Sequence, residues 1–163
     1  MKTIWITNKE EIEDIILSCN VCFVGMIDEE GLPYSIPMNF GYENSVIYLH
    51  SGQEGKKIDC IKKENRVCIT FCQENSLAYV NKEVACSYTM KSKSVLAQCE
   101  VSFVEDENLD EKGKILNVFM KHYSPMEFKY SVPALKNVKV WKAEIKKITC
   151  KEFGAPHQKN NNK

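Results

Sequence analysis

The residues best suited to chemistry cluster between Ser35 and Lys57. His50 closes an apolar run, and Ser51, Gly55, Lys56 and Lys57 follow it closely. A helix start exposes unpaired backbone N–H groups and carries a partial positive charge. Two lysines in such a first turn have the wrong sign and cost a few tenths of a kcal/mol unless an anion joins them. A glycine there lets a ligand approach the backbone closely. Hydroxyl, glycine, two ammonium groups and a helix N-terminus together make a site for one phosphate. The same residues also read as a solvated basic turn, since lysine pairs are common on helix surfaces. His50 titrates near neutrality when unperturbed, which suits it to orient a substrate or give up a proton. A hydrogen bond to the backbone is its plainer role.

The elements that must position these groups are legible on either side. Val46, Tyr48 and His50 alternate with Ile47, Leu49 and Ser51, the period of a strand. Gly41 and Glu43-Asn44-Ser45 supply the turn before it. Ser51-Gly-Gln-Glu54 fits a capping box opening a helix, with Ile58 and Ile61 on its buried side. The preceding strand carries Pro33 and Pro37. Proline cannot donate to a ladder, so this strand is expected at an edge or locally irregular, with backbone groups left for a ligand.

The rest of the chain reads as mainly β. Thr7-Asn8 caps a helix whose Ile12, Ile15, Ile16 and Cys19 share one face. Strands are expected at 21–28, 66–71, 84–91, 95–104 and 138–148, with Asp28-Glu29-Glu30-Gly31 as a hairpin turn and Ser92-Lys93-Ser94 as a break. Residues 73–83 are a polar loop or hairpin. A helix over 105–123 buries Ile115, Val118 and Phe119. Pro125 and Pro133 bracket an irregular segment, and 154–163 is a polar tail expected to be disordered. Many strands, short turns and few helices predict a β-barrel closed on itself with peripheral helices.

Composition narrows the function. The 163 residues carry 22 basic and 22 acidic side chains, so the formal net charge is zero. That leaves no electrostatic footprint for nucleic acid. No apolar run is long enough to span a membrane. The first residues lack the apolar core of a signal peptide, and a cytoplasmic location is expected. Eight cysteines, at 19, 22, 60, 68, 72, 86, 99 and 150, are then free thiols by default. Cys19-Asn-Val-Cys22 has metal-ligand spacing but no second pair, so no metal is expected. Neither Gly-x-Gly-x-x-Gly nor a phosphate loop of the Gly-Lys-Ser/Thr type occurs. What remains is a single-phosphate cofactor at a helix start. FMN fits, as do the carboxylates of heme or a deazaflavin.

Two segments carry a resemblance. Gly31-Leu-Pro33-Tyr34-Ser-Ile-Pro37-Met-Asn39-Phe40-Gly41-Tyr42 and Tyr48-Leu-His50-Ser51-Gly-Gln-Glu54-Gly55-Lys56-Lys57 resemble, without gaps, the FMN-binding segment of the pyridoxamine 5′-phosphate oxidase-like split β-barrels. Within these they are most similar to the nitroimidazole-resistance subgroup. The likeness continues more weakly through Asn65-Arg66-Val67, Lys93-Ser94-Val95, Glu111-Lys112 and Thr149-Cys150-Lys151-Glu152. It implies an FMN-binding split β-barrel over residues 8–152, with 153–163 as tail. It implies that FMN is held by Pro37, Met38, Asn39, Phe40, His50, Ser51, Lys56 and Lys57. Asn39 would meet the polar edge of the ring, and Met38 and Phe40 would pack near it, although Phe40 reads equally as core. Lys93 and Ser94 would come from the other subunit of a homodimer with the flavin at its interface. The activity implied is an oxidoreductase that takes electrons from a reduced donor and passes them to a small electrophile such as a nitroaromatic, with His50 as the candidate catalytic group. The pattern departs from true oxidases, which carry a C-terminal arginine–histidine substrate motif. Here Arg66 is the one arginine and the chain ends Lys-Asn-Asn-Asn-Lys. No bidentate grip on a substrate phosphate is evident, so the oxidase reaction itself is not expected. A non-catalytic flavin- or heme-binding storage or sensing protein is the alternative.

Overall fold

The computed structural model describes residues 2–73 and 75–155. Its elements are β1 (Lys2–Ile6), α1 (Lys9–Leu17), β2 (Cys22–Ile27), β3 (Pro33–Met38), β4 (Gly41–Glu43), β5 (Val46–Ser51), α2 (Lys56–Lys63), β6 (Arg66–Cys72), β7 (Ser76–Ala78), β8 (Thr89–Phe103), α3 (Leu109–Lys121), α4 (Val132–Lys136) and β9 (Lys139–Ala155). They gather into two compact units. Among the described residues the first takes 2–19, 71–73, 75–95 and 149–155, and the second takes Asn20–Thr70 and Leu96–Ile148.

The second unit holds the proposed site. Its ladder runs β3-β2-β6-β8-β9-β5-β4. The β2–β3, β2–β6, β4–β5 and β5–β9 pairings are antiparallel. β3 is an edge strand, as its two prolines require. The expected closure into a barrel is not seen among the described residues, because the ladder ends at β3 and β4. β4 is three residues long, and β3 lacks N–H donors at Pro33 and Pro37, so neither edge offers a full set of partners.

Local chemistry explains the turns. Asp28 Oδ1 accepts from the N–H groups of Glu30 and Leu32, and Gly31 takes φ +82° to close the β2–β3 hairpin. Asn44 and Ser45 both have positive φ, the requirement of a two-residue hairpin turn. On β5, Ile47, Leu49 and Ser51 are buried while Val46, Tyr48 and His50 are not, matching the sequence alternation. α3 lies directly on β4. A Cβ at Gly41 would stand 2.5 Å from Phe119 Cα and 2.9 Å from its nitrogen, so only glycine allows this approach. Val104, Ile115, Leu116, Leu135 and Val140 form the core beneath α3.

In the first unit, β1 pairs with the end of β9 and β7 with the start of β8. Asn8 caps α1 by accepting from Glu11 N–H, and Ile12, Ile15 and Ile16 are buried.

Four sequence expectations need correction. The capping box at Ser51 does not form. The N-cap is Gly55, with φ +118°, and α2 starts at Lys56. The Ser51 hydroxyl instead donates to Gly52 O and accepts from Trp141 Nε1, which outcompetes a cap. The two strands expected at 84–91 and 95–104 are the single strand β8, preceded by a turn of 3-10 helix at Ala85–Ser87. Ser92-Lys93-Ser94 stays in the strand because Lys93 finds Glu11 at 2.7 Å and its carbonyl accepts from Gln73 N–H. The stretch before Pro133 was expected to be irregular. It ends in the short helix α4, where Ser131 caps and proline sits harmlessly in the first turn. The last strand runs on to Ala155, while the rest of the expected tail, 156–163, lies outside the described residues.

No described helix is long and apolar enough to cross a membrane. All eight cysteines are free thiols. Cys19, Cys22, Cys60, Cys99 and Cys150 are buried, and Cys72 and Cys86 are exposed. Burial pushes the Cys99 thiol up to about 12, as expected of a thiol serving as a small apolar side chain.

Candidate functional site

The start of α2 is the centre of the site. Gly55 caps the helix with no side chain to accept from its first-turn N–H groups. The carbonyl of Gly55 accepts from Ile58 and Asp59, which sets the helix direction. Ile58, Cys60 and Ile61 anchor the other face in the core. The helix start is therefore fixed from beneath and open above.

The two lysines there do different jobs. Lys56 turns back to the β2–β3 hairpin. Its Nζ stands 2.9 Å from Asp28 Oδ2 and lies over the Tyr34 ring, 4.9 Å from the centroid. The bond to Lys56, followed by that from Leu32 N–H, holds the Asp28 carboxyl below its usual range, and Asp28 in turn raises Lys56. Lys57 is half-buried and makes no ion pair among the described residues. Of the pair, it is the ammonium left for an anion.

His50 lies at the end of β5, paired with Val140 of β9. Its ring meets Phe119 edge-on at 4.6 Å between centroids. With Leu116, Phe119, Met120, Tyr130 and Val138 it lines a cavity of about 210 Å³. Desolvation in this apolar setting is the larger cause, and the Lys57 ammonium the smaller, of a pKa lowered from the ordinary 6.5. The neutral imidazole is thus the main form at pH 7, with one N–H to give and one nitrogen to accept.

The remaining candidates divide. Pro37 and Asn39 present exposed side chains on and just after β3, while Met38 and Phe40 are buried. Phe40 packs 4.5 Å from the His122 ring, and its N–H donates to Tyr123 Oη at 2.9 Å, so its ring belongs to the core. Ser51 is buried and spends its proton on Gly52. The second unit therefore carries Pro37, Asn39, His50, Ser51, Lys56 and Lys57, of which His50 and Lys57 are close enough for their charges to interact. Lys93 and Ser94 are half-buried on β8 in the first unit, with Lys93 held by Glu11.

Sequence reasoning missed the cavity wall. Phe119 was read only as a core residue of α3, and nothing in its spacing says that it meets His50, 69 positions earlier in the chain. Gln53 carries no signal of its own in the sequence beyond its place between Ser51 and Glu54. Among the described residues no group of His, Cys, Asp and Glu is arranged to hold a metal ion.

A crystal structure from Bacteroides thetaiotaomicron, provisionally described as a 5-nitroimidazole antibiotic resistance protein, is 48% identical. The alignment covers 93% of this chain and 87% of that one, with a TM-score of 0.83. A flavocytochrome from Azotobacter vinelandii shares the fold at 18% identity and TM-score 0.79, over 93% of this chain and 70% of that one. A FAD- and heme-binding protein from Mycobacterium smegmatis does so at 14% identity and TM-score 0.81, over 95% and 76%. No curated protein matches the sequence. Residues 8–152 match the family model described as pyridoxamine 5′-phosphate oxidase, and the chain belongs to that family.

Proposed function

We propose that the protein is an FMN-binding flavoprotein that reduces a small electrophile, a nitroaromatic of the nitroimidazole type. The observation that carries this reading is the open N-terminus of α2, with Gly55 at positive φ and Lys57 unpaired, next to an apolar cavity edged by His50. The donor set suits a phosphate monoester, with backbone N–H groups, a helix dipole and one ammonium. When bound, FMN supplies the two-electron chemistry that no side chain here provides.

The chain's own residues then have distinct tasks. Lys57 and the first turn of α2 hold the phosphate. Ser51 keeps one lone pair for a ligand after its bonds to Gly52 and Trp141. Asn39 offers an exposed amide to the polar edge of the ring. The cavity is smaller than the roughly 300–1,000 Å³ of drug-sized pockets and fits a one-ring compound. His50, neutral and edged by Phe119, orients that compound through its N–H and passes a proton at the same nitrogen. The description of the 48% identical protein as a nitroimidazole-resistance protein supports this choice of substrate. A second copy of the chain completing a split-barrel dimer, with Lys93 and Ser94 facing the partner's flavin, is part of the same proposal.

The test begins with the absorption spectrum of the purified protein. Flavin bands in the blue support the reading, and a Soret band without them replaces it with heme binding. Turnover of a nitroaromatic with a reduced nicotinamide then separates an enzyme from a carrier. A monomer with full flavin occupancy by light scattering would remove the dimer from the proposal.

A further inference from the structure

Among the described residues, Gln53 ties the turn joining β5 to α2 to the segment before β9. Gln53 Nε2 donates to the carbonyls of Lys136 at 2.8 Å and Val138 at 3.1 Å, and reaches Asp106 Oδ1 at 3.3 Å. Two of those acceptors are shared with a buried cation. Lys112 is fully buried, and its Nζ donates to Asp106 Oδ1 at 2.9 Å, Val138 O at 2.9 Å and Leu135 O at 3.3 Å. Three donors meet three acceptors, so the ammonium is satisfied. Lys139 Nζ closes on Asp106 Oδ2 at 2.5 Å. Lys139 first and Lys112 second hold the Asp106 carboxyl far below its usual range.

The position of this network is what matters. Val138 lines the cavity beside His50. Gln53 stands in the turn that leads to the Gly55 cap of α2. A buried ammonium carries a large desolvation cost, which Lys112 offsets only through Asp106 and the two carbonyls it holds. Together the ammonium and the Gln53 amide fix the carbonyls of Leu135, Lys136 and Val138 in direction.

We infer that Gln53 is a positioning residue, which ties the 52–55 turn to the Lys112–Asp106 cluster and so sets the phosphate-binding start of α2 relative to the cavity wall. The inference rests on the FMN reading above and assigns a role to a side chain that itself touches no ligand. Its consequence is that the phosphate end and the cavity wall are one mechanical piece. Loosening Gln53 moves the N–H groups of α2 away from the phosphate without removing any of them.

Gln53→Glu tests this, because it keeps the shape and replaces the donor with an acceptor facing Asp106. Amide hydrogen exchange of the ligand-free protein is the first measurement. Faster exchange confined to 52–57 and 136–138, with the thermal midpoint held, is expected. Flavin titration is the second, and FMN should weaken about tenfold while riboflavin, lacking the phosphate, changes less than about twofold. Unchanged exchange and unchanged FMN affinity would overturn the inference. Equal losses for both flavins with exchange raised throughout would also overturn it, by making Gln53 a general fold residue. A wild-type protein that does not prefer FMN to riboflavin overturns the phosphate site itself, and that failure is visible without any variant. Should Gln53→Glu not fold, Gln53→Asn, drawn back by one methylene, is put through the same two measurements with the same outcomes expected.

Discussion

Lys57→Ala separates the phosphate site from a solvated helix turn. Lys57 has no ion pair among the described residues, whereas Lys56 is held 2.9 Å from Asp28. Two unit charges 4 Å apart in a partly exposed site attract by about 4 kcal/mol. Desolvation and side-chain ordering reduce this to the roughly 1.5–3 kcal/mol typical of a hydrogen bond to a charged group. FMN should therefore bind about ten- to a hundredfold more weakly. Riboflavin should bind both proteins alike. The ligand-free fold should be unchanged or gain a few tenths of a kcal/mol, because a cation is unfavourable at a helix N-terminus. A second signature needs no ligand. Lys57 is the smaller cause of the lowered His50 pKa, so its removal should raise that value toward 6.5 without reaching it, since the desolvation persists. Fluorescence-quenching titrations of both flavins into both proteins, with an NMR titration of the imidazole, supply the data. Equal losses for FMN and riboflavin would mean that Lys57 supports the fold or the ring end. No loss for either would leave Lys56-Lys57 a basic surface turn and refute the reasoning.

Other perturbations probe the frame around the site. Gly41→Ala drives a Cβ into the Phe119 backbone and should cost about 1–3 kcal/mol, read as a lower urea midpoint at constant slope. His50→Phe keeps an aromatic ring and deletes the N–H. Nitroaromatic kcat/KM should fall by about 10²-fold with flavin content retained, and an unchanged rate would remove His50 from catalysis. His50 also imposes a pH dependence. Its folded-state pKa is lowered, so the unfolded chain takes the proton first, and stability present above pH 6.5 is lost as pH falls from there through the folded value. His50→Phe should lack that slope in urea midpoints measured between about pH 5.5 and pH 7.5, the window about one unit either side of the ordinary value. Lys112→Met leaves Asp106 with Lys139, Gln53 and solvent, so it should cost about 2–3 kcal/mol, less than breaking a wholly buried pair, by the same denaturant assay.

Local chemistry determined much of this protein from sequence alone. The alternation of 46–51 gave β5 its faces, Asn8 its cap and Asp28–Gly31 its hairpin, because each depends on residues a few positions apart. Pro33 and Pro37 marked β3 as an edge strand for the same reason, as the missing N–H is a property of the residue itself. The gapless run through Lys57 also pointed to the family that the comparisons identify. Tertiary structure decided the rest. Ser51 has the right type and place for a cap, yet Trp141, 90 positions later, claims its hydroxyl. Lys56 and Lys57 are indistinguishable as letters, and only the fold of the β2–β3 hairpin brings Asp28 to one and not the other. Ser92-Lys93-Ser94 reads as a break until Glu11 of α1 arrives to neutralise Lys93. His50 acquires its shifted titration first from desolvation and second from Lys57, and the 52–55 turn its anchorage from Asp106 and Val138. Each of these outcomes depends on which distant group reaches a side chain first, and that competition is settled by packing, not by spacing along the chain.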